Sequence, residues 1–384
     1  MTRSLKNTAP ALLILLLLQC KDPYVSPYAP TATGYLVVEG YITGNGPTRI
    51  MLSHTIPLTD RDTLKPEINA QLRVEGDDNS AWTLVGQGNG VYSIDTLPLN
   101  PAVKYRLRIH TAGNKDYLSD YAPFKTTPAI DSINWAIVGG GIDIYANTHD
   151  PSNATRYYQW DYDETWQYFS SEVSQGKYQA PPPSVVSRDI NDQVYICWKS
   201  AISTSLLLGS TAKLAQDVVY RALLNSIPGG SHRLSYKYST LVRQYALTED
   251  AYNYLALMQK NSQSLGSIFD AQPVQLKGNI HCLSVPAEQV IGYISTGTLQ
   301  QKRIFIDYTQ IPNDLRYHYL CPIDDHLVTL DSLDFYFAPG KGYTPISEHI
   351  NRSGMFDGWM GNLTICADCR AMGGVTTKPS FWPN

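Results

Sequence analysis

Six short runs between residues 35 and 111 alternate apolar and polar side chains at strand spacing: "YLVVEGYI" (35–42), "RIMLSHT" (49–55), "NAQLRVEG" (69–76), "AWTLVGQ" (81–87), "GVYSID" (90–95) and "KYRLRIHT" (104–111). Successive strand residues point to opposite faces, so runs of this kind bury one face and wet the other. Turns such as "GNG" and "GDDN" separate them. Closely spaced strands without a helical period predict a β-sandwich over residues 34–127. The composition agrees. Tyr outnumbers Phe 27 to 8, a bias toward strands and toward surfaces that are half apolar and half wet.

Within "LPLNPAVKYRLRI" (97–109), Tyr105 follows a Leu-Pro-containing turn and begins an alternating strand. This resembles the tyrosine corner of immunoglobulin-like and fibronectin-like domains, in which the phenol bonds back to the turn backbone. A larger, mostly β second domain is expected over 128–337. Its strand-like runs include "GIDIYANT" (141–148), "RYYQWDYDETWQYF" (156–169), "QVYICWK" (193–199), "VVYRALLNSI" (218–227) and "RLSYKYSTLVRQYAL" (233–247). Only "TEDAYNYLALMQKNSQ" (248–263) reads as a helix. Thr248 caps it, Glu249 and Asp250 suit the positive end of its dipole, and Tyr252, Leu255 and Met258 form a stripe. Residues 338–384 read as a loop-rich tail.

The first 33 residues do not belong to this β pattern. Arg3 and Lys6 precede an apolar block from Ala11 to Leu18, followed by Cys20. Such a block rises about 12 Å as a helix, less than half of the ~30 Å hydrocarbon layer. A charged start and a short apolar core make residues 1–19 a secretion signal. The cysteine at its end resembles a bacterial lipobox, which implies a diacylglycerol on the Cys20 thiol. Gln19 stands where a small residue is usual. Acyl chains at about 0.8 kcal/mol per buried methylene would hold the protein to a membrane. Residues 20–33, with Pro23, Pro27 and Pro30, then read as a tether. Loss of Arg3 and Lys6 from the 30 basic residues leaves 28 against 34 acidic ones. This balance argues against nucleic acid or anionic lipid as the main partner.

Five cysteines remain beyond Cys20, and an oxidising compartment favours disulfides. Cys197, Cys321, Cys366 and Cys369 are the candidates to staple the tail to the second domain, with Cys282 left unpaired. Spacing does not fix the pairing. A redox pair at "CADC" and a zinc site drawing on His326 are the other readings of these cysteines.

Several stretches together resemble the Bacteroidota outer-membrane lipoproteins grouped as domain-of-unknown-function family 4249. They are "YLVVEGYIT", "WDYDETW", "CW" at 197–198, "RQYALTEDAYNYL", "GSIFDAQPVQLKGNI", "VIGYIS", "CADCRAMGG" and "KPSFW", in the expected order. Lys21-Asp22 is a partial likeness to the acidic signal that sends such lipoproteins to the cell surface. The resemblance implies an outer-membrane, surface-exposed lipoprotein encoded beside a TonB-dependent outer-membrane receptor, with an accessory role in nutrient uptake. It implies no established activity.

No catalytic motif stands out: there is no H-E-x-x-H, G-x-S-x-G, P-loop or dinucleotide fingerprint. The protein is therefore expected to be non-catalytic and to need no cofactor or metal. The alternatives are an envelope hydrolase with an unrecognised site and a structural or adhesive protein. "CPIDDHL" (321–327) brings Asp324, Asp325 and His326 together, either as a solvated turn or as a site for a hard cation. In "WDYDETWQYF", period two puts Trp160, Tyr162, Glu164 and Trp166 on one face and Asp161, Asp163 and Thr165 on the other. The aromatic face is either a ligand platform for sugars or peptides or a packed core face. Glu164 with Asp161 or Asp163 makes a poor glycosidase couple, because neighbouring strand positions diverge.

Overall fold

The computed structural model describes residues 34–57, 64–263, 277–318, 321–322 and 324–383. Cys20 and the lipobox lie outside them, as does most of "GSIFDAQPVQLKGNI". The chain is mainly β.

All six runs of the first region form strands: Leu36–Thr43, Thr48–His54, Gln71–Gly76, Ala81–Gly88, Val91–Ile94 and Lys104–His110. Their alternation becomes burial, with Leu72, Val74, Tyr105, Leu107 and Ile109 inside and the intervening residues at least partly wet. The Tyr105 hydroxyl accepts the Asn100 amide at 2.6 Å and donates to the Asn100 carbonyl at 3.2 Å, the expected corner.

The first sheet is closed by strands from far along the chain. Ser295–Gly297 lies parallel to Leu36–Thr43 on one side and to Ala122–Lys125 on the other, and Ala122–Lys125 pairs in turn with Lys104–His110. Val290–Gly292 also pairs with Leu36–Thr43, and Ile280–Cys282 extends the sheet at Asp116–Ser119. Closure removes strand edges that would otherwise be open to pairing. The buried Asn279 side chain holds this return in place, bonding the Ile294 amide at 2.8 Å and the Ile294 carbonyl at 2.9 Å. Gly292 is required here, because a Cβ would stand 2.3 Å from the Val38 carbonyl. The division at 127/128 therefore needs correction. Residues 280–297, read as second domain, pair with the first, since backbone pairing is blind to order along the chain.

The second unit is a sandwich of two sheets. Ile130–Val138, Gly141–His149 and Val218–Pro228 form one. The other contains Ile196–Ile202, Tyr157–Phe169, Lys237–Ala246 and Leu299–Asp307, with Leu207–Ser210 beside Tyr157–Phe169. Ile142, Ile144, Trp160, Tyr168, Tyr238, Val242 and Ile306 share the core between them. The helix Glu249–Gln263 opens the excursion to the first sheet, and Thr248 caps it by accepting the Ala251 amide at 3.2 Å. Its most buried residues are Ala251 and Tyr254, a slight turn from the expected stripe.

The tail is less loop-like than its sequence suggests. Tyr343–Ile350 and Phe356–Leu363 form a hairpin that His326–Val328 joins, over a small core of Val328, Leu333, Phe337 and Trp359. Two disulfides tie it down. Cys321 pairs with Cys366, 45 residues apart, and Cys197 with Cys369, 172 apart, while Cys282 is free and buried. In the loop-entropy picture these closures stabilise by about 4 and about 5 kcal/mol. The two cysteines of "CADC" thus bond to different partners and form no dithiol pair. Trp382 is also buried, donating to Gln167 at 3.0 Å.

Candidate functional site

The aromatic face of Tyr157–Phe169 is core. Trp160, Tyr162, Glu164 and Trp166 are all buried between the two sheets, so the ligand-platform reading is corrected: no ligand reaches rings packed against Ile144 and Val242. Trp160 donates its indole N–H to Gln244 at 2.9 Å. Glu164, only 3% exposed, accepts from the Tyr238 hydroxyl at 2.9 Å and from Asn225 at 3.3 Å, and meets the Arg233 guanidinium at 3.2 Å. Burial, with the Glu164 charge adding to it, pushes the Tyr238 phenol well above its ordinary value. Such a saturated carboxylate is a structural group.

The opposite face of the same strand lines a cleft of about 610 Å³ between the two sandwiches. Three groups of side chains build it. The outward residues Val37, Glu39 and Tyr41 of Leu36–Thr43, with Arg49 of the next strand, form one wall. Asp161, Asp163, Arg243 and Tyr245 of the second sandwich form the facing wall. Tyr254, Leu255 and Met258 of the helix, with Ile291 and Tyr293 of the returning chain, complete it. The two sandwiches meet at its edges. Tyr41 donates to the Ala246 carbonyl at 3.3 Å and packs 5.0 Å from the Tyr245 ring, and Asn45 bonds Leu299 at 2.8 and 2.9 Å.

Charge in the cleft is partly compensated. Arg243 stands directly across the ladder from Asp161, donates to it, and grips Asp163 through two bonds of 2.7 Å. Fork-to-carboxylate pairing of this kind fixes geometry. Its two acidic neighbours, the Asp163 bond first, hold Arg243 well above its ordinary value. Asp161 is nevertheless raised, because its burial outweighs the guanidinium.

Glu39 differs. It is exposed to water yet surrounded by the cleft walls, and this desolvation alone raises its carboxyl above the ordinary value of 4.5. Among the described residues, neither the Glu39 carboxylate nor the Arg49 guanidinium has a hydrogen-bond or ion-pair partner. Behind them Tyr254 is 6% exposed. Its hydroxyl approaches the Gly292 backbone without meeting hydrogen-bond geometry.

Of the remaining sequence candidates, Asp324 accepts from Tyr343 at 2.8 Å and faces His326 at 2.9 Å, whereas Asp325 accepts from Asn362 at 2.7 Å. The two carboxylates serve separate partners. Sequence reasoning missed Glu39, Arg49, Arg243 and the cleft tyrosines. The available signal was modest: a charged residue at an outward strand position between Val37 and Tyr41, and an Arg-x-Tyr at 243–245.

The family model described as Domain of unknown function (DUF4249) matches residues 21–303. No curated protein matches the chain significantly. Among solved structures, the two-domain fibronectin type-III segment of chicken tenascin is 9% identical, with a TM-score of 0.16 over 57% of this chain and 94% of its own. The chicken interferon gamma receptor alpha chain is 11% identical, with a TM-score of 0.13 over 56% and 91%. Chitinase ChiA74 from Bacillus thuringiensis is 10% identical, with a TM-score of 0.16 over 51% and 29%.

Proposed function

This chain belongs to the DUF4249 family, and from that membership we propose that it is an outer-membrane lipoprotein that binds a small ligand between its sandwiches, as the non-catalytic accessory of a TonB-dependent receptor. The cleft carries this reading. Its volume of about 610 Å³ falls in the range of small-molecule sites, which combine apolar and aromatic walls with a few convergent polar groups. Supporting the anchor is the short apolar block that ends just before Cys20. A non-catalytic role fits the carboxylates of the aromatic strand, of which Glu164 is saturated and Asp161 and Asp163 are clamped by Arg243.

Affinity purification from native membranes in mild detergent tests the partner. An outer-membrane barrel is expected to copurify, and repeated recovery of the lipoprotein alone overturns the proposal. Mass spectrometry of the mature amino terminus tests the anchor: an acylated Cys20 is expected, and an unacylated chain removes it.

A further inference from the structure

Two opposite charges stand in one cleft without a hydrogen-bond or ion-pair partner among the described residues. Glu39 lies opposite Met51 and Tyr41 opposite Arg49 in the antiparallel ladder. Glu39 and Arg49 are therefore diagonal neighbours on one sheet face, about 7–8 Å apart. The other charged groups lining the cleft, Asp161, Asp163 and Arg243, satisfy one another. What is left for a ligand is one anion, one cation, the amides of Gln159 and Gln301, and a wall that includes Val37, Tyr41, Leu255 and Ile291.

We infer that the cleft selects a zwitterion of the short-peptide type, its ammonium on Glu39, its carboxylate on Arg49 and its side chains against the helix. A purely cationic ligand would leave Arg49 unmatched, and an anionic one would leave Glu39 unmatched. A neutral polyol would use neither. Peptide termini answer both at once, and an apolar side chain suits Leu255 and Met258 better than a ring of hydroxyls would. The uncompensated desolvation of Glu39 fits the same occupant, because an arriving ammonium replaces the water that the cleft walls displace. This inference rests on reading the cleft as a ligand site.

Calorimetric titration of the full-length protein with Leu-Leu, N-acetyl-Leu-Leu and Leu-Leu amide tests it. The free dipeptide should bind roughly tenfold or more tightly than either blocked form, as expected for losing one charged hydrogen bond. Glu39→Gln should erase the preference for the free amine and keep that for the free carboxylate. Arg49→Gln should do the reverse, and both variants should unfold as cooperatively as the parent. Equal binding of free and blocked forms, or no binding of any, overturns the inference. Native-membrane purification of the Glu39→Gln variant separates the two readings: an outer-membrane barrel recovered with it leaves the accessory role standing even if the dipeptides fail.

Discussion

The strand Tyr157–Phe169 carries carboxylates on both faces, and the faces have opposite fates. Glu164 points inward, where Tyr238, Asn225 and Arg233 satisfy it. Asp161 and Asp163 point outward into the cleft, where one arginine holds both. Across that cleft Glu39 has no hydrogen-bond or ion-pair partner among the described residues. Along this series the carboxylates pass from saturated to clamped to free, and capacity for a ligand rises as built-in satisfaction falls. A buried polar group left unmatched costs folding free energy, so a half-shielded, partnerless carboxylate points to a role outside folding.

Substitutions at each station test the gradient. Glu164→Ala strips a buried charge network of its centre, leaving Arg233 and Tyr238 unmatched, and should cost about 3–5 kcal/mol in chemical denaturation. A loss under 1 kcal/mol would place Glu164 in wetter surroundings than its burial indicates. Tyr238→Phe removes one bond to the same carboxylate and should cost about 1.5–3 kcal/mol by the same measurement. Arg243→Gln acts on a partly exposed ion pair and should cost only about 1 kcal/mol.

Glu39→Gln should raise stability slightly at pH 7, with a size that depends on pH. The folded-state carboxyl is raised above 4.5, so over the window from 4.5 upward the native protein binds more protons than the unfolded chain. Stability is therefore lost as pH rises through that window. The Gln variant lacks this loss. Its melting temperature should exceed the parent's at pH 7, and the gap should close below about pH 4. A Gln variant that melts below the parent at pH 7, with the difference closing on acidification, would mean that Glu39 has a cationic partner.

Much of the fold was legible because strand alternation is local. "KYRLRIHT" announces which residues turn inward, and Tyr105 announces its own corner. The aromatic strand was legible only by halves. Period two groups Trp160, Tyr162, Glu164 and Trp166 on one face, but whether that face meets protein or water depends on the three-stranded sheet laid over it. The cleft was hidden for a related reason: Glu39, Asp161, Arg243 and Tyr254 come from four separate elements, and no local pattern links them. The disulfides stand between these cases, since four candidate cysteines were evident and their pairing was not.

By itself the sequence determined strand periodicity, the helix with its Thr248 cap, and the set of cysteines available to bond, because each follows from residues within a few positions of one another. Tertiary structure alone decided that residues 280–297 close the first sheet, that the tryptophan face is dry, and that Glu39 and Arg49 share one cleft. Solvation is the reason: a side chain's access to water is set by every segment packed around it, wherever those segments lie in the chain.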